Sequence, residues 1–230
     1  MIAVTFALPS ESSAFLRLLE QPAREAAGPH TISGTLHGRA ICILHTGVGE
    51  KTTRPRLAHF LQEQSPQLLI SSGFAGALNE NWKLGEVIAA ENYSTNQLGP
   101  KFAEDYRPGR LATASAMVDS PNERQALARE GVDAVDMETE FIAAACSTAN
   151  VQLLSLRVIT DTPAHPFPAP PHLLFDVERQ RTPFFPLFAH LLLRPTSIGR
   201  FISFARAIDG ARESLTLALA SVIERVPVEP

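Results

Sequence analysis

Charged side chains interrupt or follow apolar runs of the sequence at positions where they could meet a ligand. Glu11 follows the apolar run Ile2–Ala7, Arg157 interrupts the run Leu153–Ile159, and Asp161 lies just beyond it. An arginine within a buried strand needs an acidic or anionic partner, because an unpaired buried charge is costly. These three side chains are therefore candidates for a functional site. The structural alternative is an arginine that points outward and an aspartate that begins a turn.

An acidic cluster opens a predicted helix. Asp136, Glu138 and Glu140 occur within five residues, and the apolar segment Phe141–Cys146 follows them. Acidic side chains near a helix N-terminus are favoured by the helix dipole. The cluster therefore either compensates the dipole in a solvated position or serves a ligand.

Glu11 has the same two interpretations. Ser10 is a suitable N-cap for an amphipathic segment over Glu11–Leu19, which would place Glu11 in the first turn of a helix. A carboxylate there is either a first-turn helix residue favoured by the helix dipole or a functional residue.

Two glycine-rich segments could bring backbone N–H groups close to a ligand. Thr46–Gly49 follows the strand Ala40–His45, and Gly73–Gly76 is predicted to be a tight turn after the strand Leu68–Ser71. His45 is predicted to be a structural or pocket-wall residue. The seven histidines show no pairing with metal-ligand spacing, so no metal site is predicted.

Alternating strand and helix patterns provide the elements that must position these residues. They predict an α/β fold with a central mixed sheet, helices on both faces and a C-terminal helical segment. Ligands of such sheets bind beyond the carboxyl ends of strands. Besides the strands already given, the pattern predicts a hairpin at 37–39, strands at Glu86–Ala90 and Leu111–Val118, and helices at Thr52–Gln64 and Met137–Ala149.

The composition changes after Thr162. Eight of the 18 prolines lie between Pro163 and Pro195. We predict one domain over 1–230, with a Pro-rich loop at 163–182 and a helical segment at 183–226 packed on the domain. Contact of this segment with a partner or a membrane surface is the alternative that we do not favour. The predicted helices are Phe184–Leu193, Ile198–Ile208 and Ala211–Arg225.

Length and composition exclude several classes of protein. The chain has 230 residues and a net charge of -4, which argues against general nucleic-acid binding. Its two cysteines, Cys42 and Cys146, do not suggest a disulfide framework. The N-terminus has no basic region before its apolar run, and no apolar stretch is long enough to span a bilayer. These observations predict a cytoplasmic protein.

Six segments in this order resemble the purine nucleoside phosphorylase/nucleosidase superfamily. The branch that they resemble most is methylthioadenosine/S-adenosylhomocysteine nucleosidase, whose VEME and R-(A/V)-I-S-D signatures are similar to two of them. The C-terminal segment resembles the hopanoid-associated phosphorylases. The six segments are Ala7–Glu11, Thr46–Glu50, Leu69–Leu78, Leu84–Ile88, Val135–Glu138 and Arg157–Asp161.

The resemblance implies a nucleoside phosphorylase-like fold and cleavage of the N-glycosidic bond of a purine nucleoside. Hydrolysis of a 5′-modified adenosine, with release of the free base, is the leading prediction. Phosphorolysis is the first alternative, with phosphate as a second ligand. A non-catalytic ligand-binding protein on the same fold is the second. The resemblance also implies a homodimer.

The resemblance assigns roles to residues at matching positions. Asp161 matches the acid that hydrogen-bonds or protonates purine N7, and Glu11 matches the general base that activates water. Arg157 matches the arginine that holds this water and the neighbouring carboxylates. Glu138 matches the residue that binds the ribose hydroxyls, and Met137 packs under the sugar. The resemblance thus implies general acid–base catalysis with electrostatic stabilisation, which needs no metal or organic cofactor.

The remaining predicted site residues line the substrate pocket. Two of them depart from the family pattern: Phe74 stands where many relatives have a small or hydroxyl residue, and Asp136 replaces the usual Glu. A bulky apolar residue at 74 reshapes the water or phosphate site, and it fills the site in the non-catalytic alternative. The others are Met117 and Val118 against the base, and Gly47, Gly73 and Ala75 from the glycine-rich segments.

Overall fold

The chain builds its core on a mixed sheet in a computed structural model that describes residues 1–24, 30–95, 106–194 and 196–226. Within these ranges, ten strands share one sheet. They are β1 (Ile2–Phe6), β2 (Glu20–Arg24), β3 (Thr31–Leu36), β4 (Arg39–His45), β5 (Leu68–Ala77), β6 (Val87–Ala90), β7 (Arg107–Gly109), β8 (Leu111–Thr113), β9 (Ala134–Asp136) and β10 (Gln152–Asp161).

The centre of the sheet is parallel, whereas several outer pairs are antiparallel. β1 pairs in parallel with β4 and β5, and β5 pairs in parallel with β10. The β3–β4 hairpin and the β6–β10 pair are antiparallel. The predicted α/β fold with a central mixed sheet is confirmed, and so is the hairpin at 37–39.

Helices cover both faces of the sheet. Leu215 of the C-terminal helix packs in one apolar cluster with Ile70, and Leu57 of the second helix packs in another with Leu69. Adjacent residues of β5 thus point to opposite faces, and both are buried, which is why central strands appear as continuous apolar runs. The helices are α1 (Pro9–Leu16), α2 (Glu50–Glu63), α3 (Pro121–Arg129), α4 (Thr139–Ala149), α5 (Pro171–Leu174), α6 (Phe184–Leu193) and α7 (Thr196–Arg225).

The predicted turn at Gly73–Gly76 is wrong, because β5 continues through these residues to Ala77. Gly76 is required by a close approach rather than by a turn. A Cβ atom at this position would stand 2.7 Å from Oδ2 of Asp161. The glycine therefore lets β10 bring the Asp161 carboxylate against β5.

Three element boundaries also differ from the predictions. Helix α1 begins at Pro9 with Leu8 as N-cap, so Ser10 lies inside the helix; proline suits this first position because it needs no N–H partner there. Strand β8 ends at Thr113, where its partner β9 ends at Asp136. The two helices predicted after residue 198 form the single helix α7.

Removal of all residues after Thr162 is expected to give an insoluble or molten protein. Such a truncation would expose a large apolar face of the sheet, because α7 supplies several side chains to the main core. Solubility and cooperativity of thermal melting check this, with a chain ending at Val226 as control. A soluble, cooperatively melting fragment would contradict the prediction. The buried side chains of α7 in that core are Ala211, Leu215, Leu219, Val222 and Ile223.

Candidate active site

The edge of β5 changes partners beside the predicted site residues. Along the edge that β10 leaves free, β1 pairs with Leu68–Ser71 and β9 pairs with Gly76–Ala77. Among the described strands, none pairs with residues 72–75 on this edge. Ligands of parallel sheets bind beyond the carboxyl ends of strands at points where neighbours diverge.

A cavity of about 220 Å³ lies at this gap. Its wall is formed by residues that follow β1, by residues of β5 and by the segment that joins β9 to α4. All the predicted site residues except Arg157, Gly47 and Gly73 line it. The predicted residues on its wall are Glu11, Phe74, Ala75, Met117, Val118, Asp136, Met137, Glu138 and Asp161.

Arg157 lies behind this wall and is buried in the sheet. Its Nε donates a hydrogen bond of 2.9 Å to Oδ2 of Asp136, which forms a buried ion pair. Its Nη2 donates to the hydroxyls of Ser71, at 2.9 Å, and Thr139, at 2.6 Å. Arg157 therefore joins β10, β5, β9 and the start of α4, and it acts on the cavity through Asp136.

Glu11 is both a helix-capping residue and part of the cavity wall. Its carboxylate accepts the N–H groups of Ala7, at 2.9 Å, and Leu8, at 3.4 Å, before α1. A Cβ atom at Gly73 would lie 3.5 Å from this carboxylate. Burial raises the pKa of Glu11 to about 7, in spite of these hydrogen bonds and the charge of Arg157.

Glu138 is held by the Thr46–Gly49 segment. Its Oε1 accepts the N–H of Gly49 at 2.8 Å. Gly49 has a φ of 78°, which disfavours residues with a Cβ atom. Burial raises the pKa of Glu138, and the neighbouring charge of Asp136 raises it further.

Asp161 forms a second buried ion pair, with Arg124 of α3. Nη1 of Arg124 also donates to the carbonyl of Ala77 at 2.7 Å, and the hydroxyl of Thr160 donates to Oδ1 of Asp161 at 3.2 Å. Burial raises the pKa of Asp161 despite the opposing charge of Arg124. Its carboxyl is thus fixed in direction and holds a proton more readily than an exposed aspartate.

Apolar side chains form the remainder of the cavity. Phe74 lies on the wall together with Met117 and Val118, and it leaves the cavity open rather than filling it. Residues after β10 cover the cavity, so the Pro-rich loop and α7 contribute to the same site as the sheet. The covering residues are Phe167, Leu174, Phe175, Phe204 and Ile208.

A side-chain amide ties this cover to the Thr46–Gly49 segment. The Oε1 atom of Gln180 accepts the N–H of Val48 at 2.7 Å, and its Nε2 donates to the carbonyl of Val48 at 2.9 Å. Val48 lines the cavity and precedes Gly49, which binds Glu138. Hydrogen bonds therefore connect the loop to Val48, and the next residue, Gly49, to Glu138.

A second, more polar cavity of about 360 Å³ adjoins the first, and both contact Ala7 and Leu8. His30, His45 and Arg56 line it together with Gly47 and Gln180. The ring of His45 forms a hydrogen bond of 2.8 Å with the hydroxyl of Ser12. Burial and the charge of Arg56 lower the pKa of His30.

The sequence matches a family model over much of its length. Residues 1–101 and 90–180 match the model of the Phosphorylase superfamily, and together they cover more than half of the chain. The chain belongs to the phosphorylase superfamily.

Similar members of the superfamily carry nucleosidase names. The 5′-methylthioadenosine/S-adenosylhomocysteine nucleosidase of Bacillus cytotoxicus is 25% identical over 196 residues, which cover 70% of this chain and 85% of that protein. The corresponding protein of Bacillus cereus is 24% identical with the same coverage.

Solved structures share the fold of this superfamily member. Streptococcus pneumoniae MTA/SAH nucleosidase, in complex with 8-aminoadenine, has a TM-score of 0.74 at 17% identity and covers 98% of this chain and 99% of its own. Borrelia burgdorferi nucleosidase bound to adenine has a TM-score of 0.75 at 16% identity, with 98% and 100% covered. Helicobacter pylori futalosine hydrolase has a TM-score of 0.70 at 16% identity, with 98% and 97% covered.

Several residues of this site were not predicted from the sequence. Arg124 lies in a mostly polar helix, where nothing in the pattern marks it as buried. Gln180 lies in the loop, and its partner is 132 positions away. The apolar cover was predicted only as a loop and a helical layer, although the periodic aromatic residues Phe201 and Phe204 indicated a buried helix face.

Substitution of Arg124 by Met is expected to lower the free energy of unfolding by about 3–5 kcal/mol, because it leaves the Asp161 carboxylate buried without its partner. The double variant R124M/D161N is expected to recover part of this loss. Urea unfolding measures both. Arg129→Met, at an exposed position of the same helix, is the control. A loss equal to that of the control would contradict the prediction.

The raised pKa of Glu11 is expected to make stability depend on pH. The folded carboxyl titrates near pH 7 and the unfolded one near 4.5. Its contribution is therefore fully present below about pH 4.5 and is lost as the pH rises through about 7, with a size on the order of 3 kcal/mol. Urea unfolding from pH 5 to about pH 8 measures this slope. Glu11→Gln is expected to weaken the slope, whereas the exposed change Glu63→Gln leaves it intact; an equal slope in both variants would contradict the assignment.

Proposed function

We propose that the chain hydrolyses the N-glycosidic bond of a purine nucleoside, with a 5′-modified adenosine as substrate, and releases the free base. One observation carries the proposal: a single apolar cavity presents three buried carboxyls with raised pKa values, those of Glu11, Glu138 and Asp161. Membership in the superfamily and the nucleosidase names of its relatives support it.

The reaction needs a general acid that acts on the purine and a general base that activates the water. The bond from ribose C1′ to purine N9 breaks, and both its electrons leave with the purine. Asp161 supplies a hydrogen bond or a proton at N7, which makes the purine a better leaving group. Glu11 removes a proton from the water whose oxygen bonds to C1′. A carboxyl with a pKa of about 7 is well matched to this role near neutral pH.

The sugar becomes positively charged in the transition state. Glu138 can bind the ribose hydroxyls. The positive charge that develops on the sugar favours the ionised form of Glu138, which then stabilises the oxocarbenium ion. Met137 and Val48 provide apolar contacts beside it. Arg157 and Arg124 act as positioning residues, since each holds a carboxylate on the cavity wall.

The covering residues favour a substrate with an uncharged 5′ group. Phe167, Phe175 and Phe204 are aromatic, and Leu174 and Ile208 are aliphatic. Burial of a charged group against them would be costly without a partner. This supports a 5′-modified adenosine over a 5′-phosphate.

Phosphorolysis is the second candidate, and the polar cavity favours it. Arg56, His30 and His45 border a space that adjoins the proposed site at Ala7 and Leu8. A guanidinium beside imidazoles suits a phosphate ion. In this reaction phosphate replaces water at C1′, and the products are the free base and a ribose 1-phosphate.

Release of free base from a panel of purine nucleosides, with and without inorganic phosphate, tests the proposal. Base release that does not depend on phosphate supports hydrolysis. Base release only with phosphate, lost in Arg56→Gln, supports phosphorolysis. No base release from any nucleoside, by a protein that still binds adenine, overturns both in favour of a binding protein.

A homodimer in the cytoplasm is also part of the proposal. The resemblance to nucleosidases supports the dimer, and the sparse cysteine content supports a reducing compartment. Sedimentation of the purified chain over a range of concentrations tests the dimer.

Substitution of Asp161 by Asn is expected to lower turnover by roughly 10²–10⁴-fold, the usual contribution of a general acid. The amide keeps the shape of the side chain but cannot supply the proton. Turnover and thermal melting are measured together, with the exposed change Glu123→Gln on α3 as control. Near-normal turnover in a folded Asp161→Asn variant would remove this residue from the acid role.

Substitution of Glu138 by Gln is expected to lower kcat by roughly 10²-fold and to raise KM. The amide can still accept the N–H of Gly49, but it lacks the charge that stabilises the cationic sugar. Steady-state kinetics measures both constants. Glu140→Gln, at an exposed position two residues further on, is the control. A change in KM alone would make Glu138 a ground-state binding residue.

A further inference from the structure

Helix α6 and the first half of α7 carry large apolar side chains on the surface. Phe185 is 89% exposed and Leu193 is 83% exposed. Large apolar side chains with this much exposure are unusual in monomeric proteins unless they bind something. We call this group the apolar tail face; it consists of Phe185, Phe188, Leu192, Leu193, Ile198 and Ile202.

Helical spacing gathers these side chains into stripes. Phe185, Phe188 and Leu192 follow one another at intervals of three and four residues in α6, while Leu187, between them, is buried. Ile198 and Ile202 are four residues apart in α7. One side of each helix thus packs on the protein, and the other side presents the apolar tail face.

The charge of this segment has one sign. Residues 183–208 contain Arg194, Arg200 and Arg206 and no acidic residue, although the whole chain has a net charge of -4. All three arginines are exposed. Arg200 lies on the opposite side of α7 from Ile198 and Ile202 and donates to the carbonyl of Phe167, so Arg194 and Arg206 are the two that flank the apolar tail face. Exposed arginines beside aromatic and aliphatic side chains are typical of helices that lie on an anionic lipid surface.

Contact between the apolar tail faces of two copies of the protein would be electrostatically unfavourable. A twofold contact would bring four arginines together, two from each copy, with no acidic residue of the segment between them. An anionic bilayer neutralises the arginines and accepts the apolar side chains at once. We propose that the apolar tail face, together with Arg194 and Arg206 beside it, docks the protein on anionic membrane surfaces.

Docking of this kind is peripheral. No described helix combines the length and the apolar composition that a membrane crossing requires. Attachment therefore depends on the shallow burial of apolar side chains and on the attraction of arginines to lipid phosphates.

The docking surface adjoins the cover of the proposed active site. Phe204 and Ile208 continue α7 from Ile202 and line the cavity. The ring of Phe204 contacts that of Phe167 edge-on, with centroids 5.9 Å apart, and Arg200 donates to the carbonyl of Phe167 at 3.4 Å. The same helix thus presents one side to the membrane and another to the cavity.

Sedimentation of the full chain with vesicles tests the proposal. One set contains phosphatidylcholine alone and the other contains about a third phosphatidylglycerol. We expect the protein to sediment with the anionic vesicles and to be released at about 0.5 M salt, which screens the arginines. The double change R194Q/R206Q is expected to weaken binding to anionic vesicles roughly thirtyfold.

Matched variants separate this surface from general stickiness. Phe185→Ser with Leu193→Ser is expected to abolish vesicle binding, whereas Leu217→Ser, at a 70% exposed position of α7, leaves it intact. Arg129→Gln controls for loss of a charge. Equal binding to both kinds of vesicle, or unchanged binding by the double arginine variant, would overturn the proposal. A third outcome would also overturn it: the unchanged protein forms a dimer that does not bind vesicles, and the Phe185→Ser and Leu193→Ser changes dissociate that dimer. This result would assign the face to self-association.

Discussion

One buried guanidinium fixes the parts of the chain that meet at the cavity. Arg157 donates to Asp136, to the hydroxyls of Ser71 and Thr139, and to the carbonyl of Leu156 at 2.8 Å. A buried charge is tolerated only when its hydrogen-bonding groups are satisfied. The strands and the helix that carry these partners must therefore hold their relative positions. The cavity wall is arranged before any ligand arrives, which is the condition for electrostatic stabilisation of a transition state.

Burial raises the pKa values of three carboxyls on the cavity wall, and the two buried arginines oppose this rise. Arg157 pairs with Asp136, so Glu11 and Glu138 share its charge only from a distance, and burial raises their pKa values. Asp161 has its own partner in Arg124, yet burial still raises its pKa. A site with fewer cations than carboxyls thus contains groups able to accept a proton beside groups able to donate one.

Local patterns in the sequence were sufficient for the strands and for the charged residues at their ends. The apolar runs of β1, β5 and β10 indicated a sheet buried on both faces, and Arg157 was marked by its place within such a run. Gly76 was misread as a turn residue because its reason is the carboxylate of Asp161, far along the chain. The polar contacts of Arg124 and Gln180 link distant segments in the same way. No local spacing encodes such contacts, since they depend on how the sheet brings the segments together.

The hydrogen bonds of Gln180 are weak compared with the free energy of unfolding of a domain, and this affects how ligands enter the cavity. Its two hydrogen bonds to Val48 hold the covering loop against the glycine-rich segment. A hydrogen bond contributes about 1 kcal/mol net, so their release costs about 2 kcal/mol, against about 5–15 kcal/mol for unfolding of a whole domain. Detachment of the loop also separates Phe175 and Val177 from Val48 and Met137, but it breaks far fewer contacts than separation of the strands and is therefore the opening of lower energy. Ligand exchange can follow the loop while the sheet, with its paired charges, stays closed.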